Sequence, residues 1–196
     1  MTQHDLTALV GARICHDLIS PLGAIGNGVE LLELTGMSAT PEMTLISESV
    51  IAAQARLRFF GIAFGRPGNG LPLAASEVAG ILQPISRGAR LRYSWLATGD
   101  IPRPIAKVIF LLLQCMETAM PLGGDVRIDR DGTDWEIKAR GNRMSIDDGL
   151  WNSLRTRVPA AVTPAQVQFA LLPAALLAAG RTLSLDIEPG SIRARL

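Results

Sequence analysis

The N-terminal part of the chain repeats apolar residues at the spacing of a helix that packs against a partner helix. The apolar positions alternate three and four residues apart: Cys15, Leu18, Leu22, Ile25, Val29 and Leu32. Such spacing places them along one seam of a helix. A second stripe with the same spacing is polar or small and lies on the outer side: Arg13, His16, Ser20, Gly23 and Asn27. The pattern predicts a helix over residues 5–34 with His16 facing solvent, and Pro21 predicts a bend one turn beyond that histidine.

A second helix is predicted after a short connection at residues 35–39. Its start, Thr40-Pro41-Glu42, combines a capping threonine, a proline at the first helical position and an acid in the first turn. Its apolar residues form another seam: Met43, Ile46, Val50, Ala53, Leu57, Phe60 and Phe64. Helices joined by so short a link pack antiparallel. Because two helices alone cannot enclose a core, the hairpin predicts a four-helix bundle formed by a homodimer.

The residues after this hairpin alternate between helical and strand patterns. A segment rich in glycine and proline, residues 65–72, separates two predicted domains, 1–66 and 71–196. Helices are predicted at residues 76–85, 102–119 and 163–179, together with a short helix capped by Ser145. Strands are predicted at residues 90–95, 125–130, 134–140, 182–187 and 191–196, and the last four form two hairpins. This order predicts an α+β domain with helices on one face of a mainly antiparallel sheet.

Composition narrows the classes of function. The 196 residues are 48% hydrophobic and 19% charged, which indicates a globular chain. A net charge of +1 without a basic run argues against a nucleic-acid partner. The N-terminus is polar, and the most apolar segment, residues 167–179, is shorter than the roughly 20 residues that span a bilayer. We therefore expect a cytoplasmic protein with no membrane contact. Cys15 and Cys115 lack metal-ligand spacing, so reduced thiols are expected.

One short motif carries a resemblance to a known family. The stretch His16-Asp17-Leu18-Ile19-Ser20-Pro21-Leu22 resembles the phosphoacceptor box of sensor histidine kinases, H-[DE]-x-x-x-P-[LI]. Residues 12–32 resemble the alphaproteobacterial histidine phosphotransferases of the ChpT type. The element order of the second half, and residues 166–196 in particular, resembles the ATP-binding domain of histidine kinases. The resemblance implies an α+β protein with an N-terminal hairpin that dimerises into a four-helix bundle, followed by a C-terminal α/β sandwich like a degenerate kinase ATP-binding domain.

Three features of that ATP-binding domain are missing from the chain. The kinase family holds Mg²⁺ through two asparagines, and the matching positions here carry Gln114 and Thr118. The family binds adenine through an aspartate, and the matching residues 140–144 contain no acid. The glycine-rich lid corresponds to residues 145–163, where Gly149 is the only glycine. Each loss removes a different contact with metal, base or phosphate. The comparison therefore implies a domain that no longer binds nucleotide.

The resemblance implies a histidine phosphotransferase of a bacterial two-component phosphorelay. His16 would accept a phosphoryl group from the receiver domain of a hybrid histidine kinase and pass it to an aspartate of a response regulator. Asp17 would tune the imidazole, Pro21 would support the same turn, and Arg13 would neutralise phosphate charge. Receiver docking is predicted on the outer stripe: Arg13, Ser20, Gly23 and Asn27. No cofactor is implied, because Mg²⁺ is expected on the partner receiver.

Two other functions remain open at this point. The chain could be a soluble histidine kinase with a divergent ATP site, or a non-catalytic module that binds receivers through the bundle and carries an incidental surface histidine. ATP-dependent self-labelling separates the kinase from the phosphotransferase. Transfer from a phosphorylated receiver separates the binding module from both.

Overall fold

The computed structural model describes residues 3–37, 40–65, 70–156 and 161–196. Its helices are α1 (Gln3–Leu32), continued by a π-helical turn (Glu33–Met37), α2 (Pro41–Phe64), α3 (Ala75–Ser86), α4 (Arg103–Ala119), α5 (Asp148–Thr156) and α6 (Val167–Ala178), which follows a 3-10 turn (Pro164–Gln166). Its strands are β1 (Leu73–Ala74), β2 (Leu91–Trp95), β3 (Asp100–Ile101), β4 (Gly124–Asp131), β5 (Asp134–Arg140), β6 (Ser184–Glu188) and β7 (Ser191–Arg195). The described chain thus forms a helical hairpin followed by an α+β layer, as predicted.

The helical hairpin follows the predicted pattern with small changes at its ends. Helix α1 is continuous through Pro21 and runs into the π-helical turn, so the helical run ends at Met37 and not near the predicted residue 34. Thr40 caps α2 as predicted, because its hydroxyl accepts a hydrogen bond of 3.2 Å from the backbone N–H of Met43. The helices are antiparallel, since Gly11 lies against Phe64 near one end of the hairpin. Residues 38 and 39 of the predicted connection lie outside the described residues.

The sheet is mixed, with strand order β2-β4-β5-β7-β6. Strands β2 and β4 are parallel, and the other three neighbouring pairs are antiparallel. Both predicted hairpins are present, and their turns use Gly132 and Gly190 at positive φ. The parallel β2–β4 pair and the small antiparallel pair β1–β3 were not predicted. Helices cover one face of the five-stranded sheet, and the other face carries charged side chains.

The cap of α5 corrects one sequence prediction. Ser145 was expected to cap this helix, but the side chain of Asp147 accepts the hydrogen bond from the backbone N–H of Leu150 at 3.0 Å. The backbone N–H of Ser145 instead donates to the carbonyl of Ala119 at 2.8 Å, which fixes the segment after β5 to the end of α4. Ser145 and Asp147 lie two residues apart, and the side chain of either can cap a helix. The sequence alone therefore does not show which of them is the cap, and the contact of Ser145 with α4 decides it.

The hairpin and the α+β layer share one hydrophobic core. Phe59 on α2 is fully buried, and its ring centroid lies 4.8 Å from that of Phe110 on α4. Ala55 and Ala63 lie on the same face of α2 and are also buried in this core. The division at residues 66 and 71 stays a prediction, and residues 66–69 lie outside the described part. Among the described helices, none is both long and apolar enough to cross a bilayer.

Candidate functional site

Three charged or titratable side chains meet on the exposed face of α1. The side chain of His16 is 82% exposed, and its Nδ1 lies 3.1 Å from Oδ1 of Asp17. Nε of Arg13 donates to the other carboxylate oxygen of Asp17 at 2.7 Å, one helical turn away. The carboxylate of Asp17 therefore bridges the two neighbouring groups. The sequence predicted these residues for one site, but it did not predict that Asp17 would contact both.

This geometry selects one tautomer of the His16 ring. With the proton on Nδ1, the ring donates a hydrogen bond to Asp17, and the lone pair is then on Nε2. Nε2 points away from the carboxylate, on a side chain that is mostly in solvent. The Arg13–Asp17 pair is exposed and contributes at most about 1 kcal/mol, so the guanidinium can change partners at little cost. The arrangement offers a nucleophilic nitrogen with an exchangeable cation nearby.

A groove between α1 and α2 continues from the His16 face. Its volume is about 310 Å³, and the residues that line it include Ile19, Gly23, Gly26, Asn27, Ser47, Ile51, Gln54 and Arg58. Two of the predicted docking residues, Gly23 and Asn27, therefore line the groove, whereas Arg13, Ser20 and Pro21 lie on α1 outside the lining. A Cβ atom at Gly23 would meet nothing within 4 Å, so this wall is open.

The α2 wall of the groove was missed in the sequence. Four residues of this wall repeat at the helical spacing of four, three and four: Ser47, Ile51, Gln54 and Arg58. The same test of spacing that identified the outer stripe of α1 would therefore have identified this stripe of α2. Gln54 crosses the groove, where its Nε2 donates to the carbonyl of Leu22 at 3.1 Å. A Cβ at Gly26 would lie only 2.8 Å from that nitrogen, which explains the glycine at this close approach.

The apolar seam of α1 divides into two sets of residues. Cys15 and Val29 are 7% and 8% exposed, because they face α2. Leu18 and Ile25, which alternate with them in the seam, are 46% and 52% exposed. Burial raises the pKa of the Cys15 thiol, so this thiol stays protonated at neutral pH. One set thus packs inside the hairpin, while the other leaves an apolar stripe without a partner among the described residues.

The positions that match the kinase metal site lie where α4 packs against α6. Gln114 is 7% exposed. The hydroxyl of Thr118 donates to the carbonyl of Gln114 at 3.0 Å and accepts from Nε2 of Gln168 at 2.9 Å. Gln168 is itself buried on α6, so these residues join α4 directly to α6. Within the described ranges, there is no group of three His, Cys, Asp or Glu side chains that could hold a metal ion.

The segment that matches the adenine-binding turn is packed against its neighbours. The backbone N–H of Gly141 donates to the carbonyl of Gly190 at 3.1 Å. A Cβ at Gly141 would lie 3.2 Å from the carbonyl of Gly123 and 3.4 Å from the side chain of Met120. This turn therefore lies against the end of α4 and the β6–β7 turn. Residues 157–160 of the segment that matches the lid lie outside the described part of the chain.

Comparisons with known proteins agree with this description. A family model for the histidine phosphotransferase C-terminal domain matches residues 75–191, which is more than half of the chain. Protein phosphotransferase ChpT of Brucella abortus (strain 2308) is 37% identical in an alignment of 148 residues that covers 72% of this chain and 70% of that protein. A solved structure of a bacterial phosphotransferase aligns with a TM-score of 0.70 and 26% identity, covering 100% of this chain and 97% of that one. The chain belongs to the histidine phosphotransferase family.

Proposed function

We propose that the protein carries phosphoryl groups between receiver domains of a two-component phosphorelay, with His16 as the acceptor. One observation carries the proposal: an exposed imidazole whose Nδ1 is held by Asp17, so that Nε2 is free. His16 lies on the rigid helix α1, which keeps the nucleophile in one orientation for an approaching partner. The partners would be the receiver of a hybrid histidine kinase and one or more response regulators, in the cytoplasm.

The transfer step balances without a cofactor of this chain. The lone pair of His16 Nε2 attacks phosphorus on the receiver's phospho-aspartate, and the bond from phosphorus to the aspartyl oxygen breaks. The aspartate leaves as a carboxylate, while the Nδ1 proton remains in its hydrogen bond with Asp17. Arg13 can turn from Asp17 toward the phosphoryl oxygens, because its exposed ion pair is weak. The reverse step delivers the group to the next receiver, and Mg²⁺ is expected on the receiver.

The experiment that tests this function uses the unmodified protein. A receiver domain is phosphorylated with radiolabelled phosphate, purified away from its kinase, and incubated with the phosphotransferase without ATP. We expect label to appear on this chain within seconds to minutes and to pass to a second receiver that is added later. Binding of the receiver without any transfer of label would instead favour the non-catalytic binding module.

Receiver docking is proposed to use the outer stripe of α1 and the adjoining groove. Arg13, Ser20, Gly23 and Asn27 surround the approach to His16, and the last two also line the groove. Ile19 and Ile51 are exposed apolar residues of the groove, and Arg58 and Glu30 are charged residues that line it. A partner that brings its phospho-aspartate to Nε2 must cover this side of the hairpin.

Gly23→Trp is expected to lower the rate of transfer at least about tenfold, which corresponds to about 1.4 kcal/mol. The indole would extend from a position with no neighbour within 4 Å and occupy the docking surface. Gly80→Trp is the matched control, because Gly80 is an equally unobstructed helical glycine but lies on α3, outside both the groove and the exposed apolar stripe of α1. Transfer kinetics and mass by light scattering are measured for both variants. Equal transfer rates in the two variants would move the docking site elsewhere.

We also propose that the C-terminal layer does not bind ATP productively. The positions of the kinase metal ligands carry Gln114, whose side chain is buried, and Thr118, whose hydroxyl bonds the backbone carbonyl of Gln114 and the side chain of Gln168. The turn that would offer an aspartate to adenine contains no acid and packs against Met120. Loss of a charged acceptor for the base alone costs about 1.5–3 kcal/mol, roughly ten- to a hundredfold in affinity. The contacts between α4 and α6 support the same proposal.

Calorimetric titration with Mg-ATP is therefore expected to show no binding heat at sub-millimolar nucleotide, and radiolabelled ATP should leave His16 unlabelled. An active histidine kinase in the same buffer serves as the positive control. Saturable binding at low micromolar ATP, followed by self-phosphorylation, would contradict this proposal and support the kinase alternative.

A further inference from the structure

A partly buried carboxylate joins the His16 hairpin to the C-terminal layer. Oε1 of Glu117 on α4 accepts a hydrogen bond from Nη1 of Arg56 on α2 at 2.7 Å. The same oxygen accepts a hydrogen bond from the hydroxyl of Tyr93 on β2. Burial and the Glu117 charge hold the pKa of Tyr93 far above its usual value, so the hydroxyl remains a donor at all ordinary pH values. One acid thus connects three elements from both parts of the protein.

Further contacts hold α2 and α4 together on either side of Glu117. The guanidinium of Arg56 lies 5.3 Å from the ring centroid of Phe59, which in turn packs on Phe110. About nine residues further along α2, Nζ of Lys107 donates to the carbonyl of Gly65 at 2.5 Å. A single contact would leave α2 free to pivot on α4. The Lys107 bond and the ring contact hold the two helices at those points, and the two bonds of Glu117 oppose rotation about them, because rotation breaks at least one of these two bonds.

The angle between the two parts affects the surface that a partner meets. Arg58 lines the groove beside the His16 face, and it also lines a smaller cavity of about 200 Å³ with Glu77 on α3 and Arg103 on α4. A receiver seated in the groove therefore lies beside the C-terminal layer. The distance between the groove and the C-terminal layer depends on how firmly α2 is held to α4.

We propose that Glu117 is a positioning residue that locks the C-terminal layer to the His16 hairpin at one fixed angle. The protein then offers its partners a single rigid surface, and phosphoryl transfer proceeds without movement of one part relative to the other. The kinetic consequence rests on the proposed function, whereas the rigidity itself does not. Glu117 touches neither His16 nor the groove, so it acts through Arg56 and Tyr93 alone.

The rigidity is tested by residual dipolar couplings of the backbone amides in the full-length protein. For the wild type we expect one alignment tensor to fit the amides of α1 and α2 together with those of α4 and the sheet. Glu117→Ala should require two tensors, one for each part of the protein. Glu117→Gln should give a smaller difference between the two tensors, because its amide oxygen still accepts but carries no charge. Asp125→Ala is the matched control: it breaks the Arg92–Asp125 pair of 2.8 Å on the exposed sheet face. Two tensors in the wild type, or one in Glu117→Ala, would overturn the proposal.

Transfer kinetics separate positioning from a general loss of stability. We expect Glu117→Ala to raise KM for the phosphorylated receiver about fivefold, with kcat within about twofold, because His16 and Asp17 are untouched. A purely structural defect would instead reduce the active fraction and lower kcat at constant KM. If Glu117→Ala does not fold, Tyr93→Phe removes one bond to the same oxygen and should give a smaller rise in KM. A wild type that accepts no label at all would defeat the proposed function but leave the alignment result standing.

Discussion

His16→Ala is expected to abolish transfer of label from a phosphorylated receiver, by at least about a thousandfold or roughly 4 kcal/mol in the barrier. The substitution removes the nitrogen that forms the new bond to phosphorus. The neighbouring groups, the Asp17 carboxylate and the Ser20 hydroxyl one turn along the same face, offer oxygen atoms only and cannot form the phosphorus–nitrogen bond. Alanine is the best helix former, so an exposed position in the middle of α1 should tolerate it without loss of fold.

The chain contains only one other histidine, His4, which provides a matched control. His4→Ala should transfer at the wild-type rate, and circular dichroism and light scattering should be unchanged in both variants. The label on the wild type should be labile in acid and stable in base, as expected for a phosphoramidate. If His16→Ala still accepts label from the donor receiver, His16 is not the acceptor and the central proposal is wrong.

The features that were predicted correctly have local causes. The cap at Thr40 depends on residues within one turn, and the β4–β5 hairpin depends on Asp131-Gly132 between two alternating segments. The continuous apolar run of α4 needs only its own periodicity to indicate burial, and the helix is indeed buried along most of its length. The adjacency of His16 and Asp17 is likewise written in the sequence. Each signal lies within a few residues, so a single chain is enough to interpret it.

The features that were missed depend on residues far apart in the chain. The seam of α2 was assigned to Leu57 and Phe60, yet Phe59 is the fully buried residue because α4 supplies a second packing surface. The parallel pairing of β2 with β4 requires the intervening helix to return the chain, which alternation alone does not indicate. The Arg13–Asp17 bond and the groove with Arg58 follow from rotamers and from the pairing of two helices.

The division of the α1 seam leads to the prediction with the largest effect on assembly. In a four-helix bundle, each helix faces two neighbours, so its apolar residues must cover two directions. Cys15 and Val29 already pack on α2 within the protomer, while Leu18 and Ile25 face outward at 46% and 52% exposure. Ile14 and Leu32 extend this exposed apolar stripe along α1, and Ile46 is an exposed apolar residue of α2. Since so large an apolar surface is unfavourable in water, we propose that a second hairpin covers it and forms a homodimer.

Leu18→Glu combined with Ile25→Glu is expected to convert this dimer to a monomer. A glutamate forced into an apolar interface costs about 2 kcal/mol or more, and two-fold symmetry counts each substitution twice, so the dimer should weaken by at least about a thousandfold. Phe60 is a poorer target, because it stacks on Phe64 within the protomer. Ile51→Glu is the matched control: Ile51 is 44% exposed but lines the groove on the His16 side. Light scattering at micromolar concentration should give twice the chain mass for the wild type and for Ile51→Glu, and one chain mass for the double variant. A wild type that is monomeric under these conditions, or a double variant that remains dimeric, would show that this stripe does not form the interface.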